Sequence, residues 1–92
     1  MVRILPEAYE DLAKLDAVHM SFGGTRPFPS DAVLDKVELL ESFPLMGPIH
    51  PDPFLARRGY RKLLVDRWVV TYRVDADGPV VFRVFHQRSS RA

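Results

Sequence analysis

The chain has 92 residues, 47% of them hydrophobic and 27% charged, which suits one small soluble domain with one modest core. It contains no cysteine and no apolar run near the roughly 20 residues that span a bilayer, which excludes a disulfide framework, a thiolate nucleophile, a cysteine-ligated zinc and a helical membrane span. Net charge is +1, yet residues 1–56 hold four basic against nine acidic side chains while residues 57–92 hold nine against three.

The opening "MVRILPEAYED" lacks the apolar region of a secretion signal, so a cytoplasmic protein with no membrane association is expected. "VRIL" (Val2–Leu5) reads as a first strand, ended by Pro6, a residue suited to the first turn of a helix. In "PEAYEDLAKLDAV" the residues Ala8, Leu12, Leu15 and Val18 recur at helical spacing. Glu7, Glu10 and Asp11 crowd the first turns, where the helix dipole favours negative charge. The pattern predicts about three turns of helix. Two glycines and two prolines make "HMSFGGTRPFPS" (His19–Ser30) a loop, at whose end Ser30 offers an N-cap oxygen.

Val33, Leu34, Val37 and Leu40 then stripe a second helix, which should stop near Ser42–Phe43 because Pro44 disfavours the helical conformation in the residue before it. "PLMGPIHPDPF" (Pro44–Phe54) has four prolines and reads as a loop. From there the period changes to two. "YRKLLV" sets Tyr60, Lys62 and Leu64 opposite Arg61, Leu63 and Val65, and Asp66–Arg67 is a tight turn. "WVVTYRV" places Trp68, Val70, Tyr72 and Val74 opposite Val69, Thr71 and Arg73. "DADG" (Asp75–Gly78) marks a hairpin, and "VVFRVFH" sets Val80, Phe82, Val84 and His86 opposite Val81, Arg83 and Phe85.

The order is therefore β-α-α-β-β-β: an α+β fold over residues 1–92, with an antiparallel sheet and a helical hairpin packed on one face. The strand charges belong on the uncovered face. A sheet carrying Arg61 or Lys62, Arg73, Arg83 and Arg88 suits phosphate, which guanidinium groups bind through paired hydrogen bonds. Tyr60, Trp68, Tyr72 and Phe85 offer rings on which bases stack. The plainer alternative is that two acidic helices lie against a basic sheet whose arginines are solvated edge residues. His86 ends the last strand beside Arg88, in a position for proton transfer, although by itself it reads as a structural residue. His19 and His50 have no ligand-like spacing, so neither a metal nor another cofactor is expected.

Five motifs in order, "AYEDLAKL", "FPLMG", "GYRKLLV", "VVTYRVD" and "FRVFHQR", resemble the RelE/ParE superfamily of type II toxin–antitoxin toxins over nearly the whole chain. That resemblance implies a toxin held inactive by a cognate antitoxin from an adjacent gene. It leaves two biochemical classes open. RelE-like members cleave mRNA on the ribosome without a metal, using the 2′-hydroxyl as nucleophile. By position, Lys62 falls at a lysine of their catalytic region, Arg88 at a late phosphate-holding arginine, and His86 at a proposed proton-transfer histidine of the YoeB-like branch. Trp68 resembles a tryptophan of the YafQ-like branch, and Arg61, Arg83 and Arg73 are left to hold substrate.

This class, an mRNA endoribonuclease that blocks translation, is the main expectation. Two departures oppose it: Val69 stands where several such toxins carry arginine, and no terminal aromatic follows Arg88 in "SSRA". The ending "VFHQRSS" is also close to that of ParE-like toxins, which poison DNA gyrase by binding. A weakly active relative that only binds its antitoxin, and operator DNA with it, is the third expectation. Under any of the three, Lys62, Arg83, His86 and Arg88 are expected to converge on one exposed hollow.

Overall fold

The computed structural model describes residues 1–88. The expectation about the terminal "SSRA" lies outside them. Strand β1 (Arg3–Ile4) leads into helix α1 (Pro6–Ser21), which begins on Pro6 and buries Ala8 and Leu12. The helix runs three residues past Val18, because nothing in "HMS" breaks it. It stops before Gly23, whose φ of 79° places it in the left-handed region that glycine enters without strain.

Helix α2 (Pro29–Glu38) continues as a 3₁₀ turn at Leu39–Glu41, so its end agrees with the expectation from Pro44. Its start does not. The cap position is Phe28, whose N–H donates to the Asp31 carboxylate at 2.9 Å. Ser30, inside the first turn, donates both its N–H (3.0 Å) and its hydroxyl (2.6 Å) to Asp16 of α1, joining the two helices of the hairpin.

The proline-rich segment holds a five-residue helix, α3 (Pro53–Arg57), where a loop was expected. Asp52 caps it by accepting from the N–H groups of Phe54 and Leu55. Strands β2 (Tyr60–Val65), β3 (Trp68–Asp75) and β4 (Gly78–His86) follow, within a residue or two of the expected bounds. Asp66 takes the left-handed conformation (φ 54°) in the turn between β2 and β3.

The sheet order is β1-β4-β3-β2. β2, β3 and β4 form the expected antiparallel meander, but the sheet is mixed: β1 joins the free edge of β4 in parallel, Arg3 opposite Val80 and Ile4 opposite Val81. Alternation cannot reveal that direction, because strand orientation leaves the side-chain pattern unchanged. The faces of β4 also differ from expectation. Thr71 pairs with Arg83 and Tyr72 with Val81, which leaves Phe82 as an extra residue in a bulge. The bulge resets the alternation, so Val81 and Val84 both join the core cluster beneath the helices, while Val80 and Phe82 do not.

The core lies between the helical hairpin and one sheet face. Ala8, Leu12, Val33, Val37 and Leu40 meet Leu63, Val65, Val70, Tyr72, Val81 and Val84. Tyr72 is fully buried, and its hydroxyl is satisfied twice: it accepts from the Gly47 N–H and donates to the Pro44 carbonyl, both at 2.9 Å. A Cβ on Gly47 would stand 2.8 Å from the Tyr72 ring, so the close approach requires glycine. The same segment then runs along the outer edge of β2. Lys62 N–H donates to the Pro48 carbonyl and His50 N–H to the Tyr60 carbonyl, which blunts part of an edge otherwise open to pairing.

Tyr72→Phe removes the hydroxyl and leaves the buried Gly47 N–H without its acceptor. The expected loss of stability is about 1–3 kcal/mol, read as a lower urea midpoint with an unchanged slope. An unshifted midpoint would show that the hydroxyl contributes nothing to holding this segment.

Candidate functional site

The charged residues of the sheet divide into those that already have partners and those that do not. Asp11, on the buried side of α1, takes three hydrogen bonds. Arg83 donates to it through Nε (2.8 Å) and Nη2 (3.1 Å), and the Val84 backbone N–H donates at 2.9 Å. Burial is the largest single influence on this carboxyl and pushes its pKa up. The Arg83 bond, the Val84 N–H and the positive charge of Arg83 together outweigh it, so the pKa lies below the usual 3.8. The Arg83 pKa rises in response, first through the Asp11 bond. Arg83 is thus an anchor for α1 rather than a free cation.

Arg61 is committed as well. Its guanidinium donates to the Gly47 carbonyl at 2.8 Å, so its partner is the proline-rich segment. Arg73 lies on the uncovered face with its guanidinium carbon 5.1 Å from the Tyr60 ring centroid and 5.2 Å from that of Phe82, a cation held between two aromatic rings. Lys62 stands on the same face, opposite Thr71 in the neighbouring strand. Nearby His50 is buried, its Nδ1 accepting from the Asp52 N–H. Burial, and after it the charge of Lys62, lowers its pKa below 6.5.

The remaining candidates meet at the opposite end of the strands. His86 pairs across the sheet with Trp68, and their rings pack edge to face at 5.1 Å. The Arg88 backbone N–H donates to His86 Nδ1 at 3.1 Å, which leaves Nε2 as the protonated nitrogen of the neutral ring. The Gln87 N–H donates to the Arg67 carbonyl at 2.7 Å, which continues the β3–β4 pairing by one step and fixes the β2–β3 turn beside the end of β4. Arg67, His86, Gln87 and Arg88 line a cavity of about 500 Å³. A second cavity, about 680 Å³, shares Arg67 and Gln87 and adds Trp68, Asp66, His19 from the last turn of α1 and, from the segment between α1 and α2, Pro27 and Phe28.

The expected convergence is therefore partial. His86 and Arg88 share a cavity and Trp68 adjoins them. Lys62 and Arg83 do not line it, Arg83 because Asp11 holds it at the outer edge of β4. Arg73 and Arg61 are engaged elsewhere. Sequence reasoning missed Arg67, which it placed in a turn and considered no further. The available signal was register: a cation in a two-residue turn must lie beside whatever follows the third strand of the meander.

The chain matches the family model described as the ParE toxin of the type II toxin–antitoxin system, parDE, over residues 2–91. Among solved structures it is similar to one described as the chromosomal ParDE TA system from P. aeruginosa. The two are 15% identical, with 92% of each chain covered and a TM-score of 0.75, a likeness of fold. No curated protein matches it.

Asp11→Asn keeps an acceptor for the Val84 N–H but removes the charge, and is expected to cost about 1–3 kcal/mol at neutral pH. The carboxylate's contribution is complete above its unfolded value of 3.8 and is lost as pH falls through the lower folded value. Urea midpoints of the native protein and the Asp11→Asn variant should therefore converge below about pH 4. A gap that stays constant down to about pH 2 would refute the ionic part of the argument.

Proposed function

The chain belongs to the ParE toxin family of type II toxin–antitoxin systems, and from that premise we propose that it acts by binding DNA gyrase rather than by cutting RNA. Its partner as a toxin of this system is a cognate antitoxin, which we take to be encoded by a neighbouring gene. The observation that carries the choice is Val69. It stands where RNA-cleaving relatives are expected to hold phosphate with an arginine, and it is fully buried, flanked in register by Leu64 and Phe85. A phosphorane needs fixed positive charge at its oxygens, and losing one such donor costs on the order of 10²–10³ in rate.

Substitution from elsewhere is poorly supported. Arg83 is held by Asp11 and Arg61 by the Gly47 carbonyl, so moving either would break an existing contact. Lys62 and His86 stand on different strands and line no common cavity among those that hold His86. A binding toxin needs none of these groups to meet. It needs a stable scaffold that presents unpaired charge and apolar side chains, and this end of the sheet offers both: Arg67, Arg88, Trp68 and the exposed Val18 and Phe22.

The purified toxin, added to gyrase at a few-fold molar excess, is expected to suppress supercoiling, and the antitoxin is expected to restore it. On translating ribosomes at the same excess the mRNA should stay intact. Cleaved mRNA together with unimpaired supercoiling would overturn the proposal in favour of the nuclease reading.

A further inference from the structure

Most arginines of the described residues have partners. Arg3 pairs with Asp75, Arg83 with Asp11, and Arg61 bonds carbonyls. Arg58 covers the Phe54 ring and Arg73 lies between Tyr60 and Phe82. Among the described residues Arg57, Arg67 and Arg88 have neither an ion pair, a hydrogen bond nor an aromatic ring beside the guanidinium, and of the three Arg67 and Arg88 lie together at one end of the sheet. Both line one 500 Å³ cavity, whose other described lining residues are His86 and Gln87. The Gln87–Arg67 backbone bond fixes the two arginines near each other, and the Arg88 N–H on Nδ1 leaves the donor of the His86 ring at Nε2. Two guanidinium groups and an imidazole N–H, with no carboxylate among the described residues that line the cavity, are complementary to an oxyanion with several acceptor oxygens. Asp66, the acidic residue nearby, lines the neighbouring 680 Å³ cavity and forms no ion pair with Arg67.

That neighbouring cavity shares Arg67 and Gln87 and carries rings: Trp68, His19 and Phe28, the last two packed edge to face at 5.9 Å. A cationic cavity opening into an aromatic one suits a phosphate joined to a flat ring. We propose that Arg67, Arg88 and His86 bind the phosphate of a nucleotide, free or at the end of a nucleic-acid strand, while its base lies against Trp68 and Phe28. The site stands whether or not gyrase is the target.

Trp68 is the sole tryptophan of the chain, so its emission reports the site directly. Adenosine monophosphate is expected to change that emission saturably and to bind about tenfold more tightly than inorganic phosphate, the factor one stacking contact supplies. Chloride at matched ionic strength should leave emission unchanged. Arg67→Ala/Arg88→Ala, both exposed positions, should weaken binding at least about tenfold with unchanged circular dichroism. Comparing the deoxy form and short DNA and RNA oligonucleotides then identifies the source of the phosphate. The proposal is overturned if no anion alters emission, if chloride does so equally, if the double variant binds as well as the native protein, or if a polyglutamate peptide matches the nucleotide.

Discussion

One carboxylate sets the arrangement of charge in this protein. Asp11 lies 7% exposed on α1, where an unpaired carboxylate would be strongly disfavoured. Two guanidinium nitrogens of Arg83 and the N–H of Val84 compensate it. The Val84 bond matters as much as the ion pair. β1 pairs with β4 only at Val80 and Val81, so beyond that point the edge of β4 has no strand beside it. Asp11 occupies that edge, satisfies a backbone donor and holds the long helix against the sheet in one position.

The same contact decides which cations are available. Arg83 lies across from Thr71, itself opposite Lys62, and a free Arg83 would have extended a positive row across the strands. Asp11 draws it to the outer edge instead. Tyr60 and Phe82 hold Arg73, and the Gly47 carbonyl holds Arg61. Of the cations left without an ion pair or a hydrogen bond among the described residues, Arg67 and Arg88 are the two that share a cavity, at the far end of the strands. The basic half of the sequence is therefore mainly structural in the middle of the sheet and exposed at one end. For a binding toxin that division is coherent: scaffold charges add rigidity, and terminal charges remain free for a partner.

Much of the fold was legible in the amino-acid sequence because its signals are local. A period of two broken by Asp66–Arg67 and "DADG" defines three strands, and Pro44 ends the second helix. The features that escaped depend on partners distant along the chain. Arg83 and Asp11 are 72 residues apart, and no spacing rule joins them. The bulge at Phe82 exists only against β3, so alternation within β4 carried past it assigned Val81 to the wrong face. The direction of β1 depends on where the helical hairpin returns the chain. Helix α3 was different, since Asp52–Pro53 is a recognisable helix start that four prolines in one segment obscured. For the candidate site, His86 and the adjacent Arg88 were singled out from the end of the last strand and Trp68 from its ring and the family resemblance, while Arg67 needed the register between β3 and β4.

The central claim is that the free cations at the strand ends, and not those within the sheet, contact the target. Growth arrest on expression without antitoxin, compared at equal levels of folded protein, tests it most directly. Arg67→Ala/Arg88→Ala should fold like the native chain and no longer arrest growth, whereas Lys62→Ala should arrest it as the native chain does. Full toxicity of the first protein, or its loss in the second with the fold intact, would contradict the account.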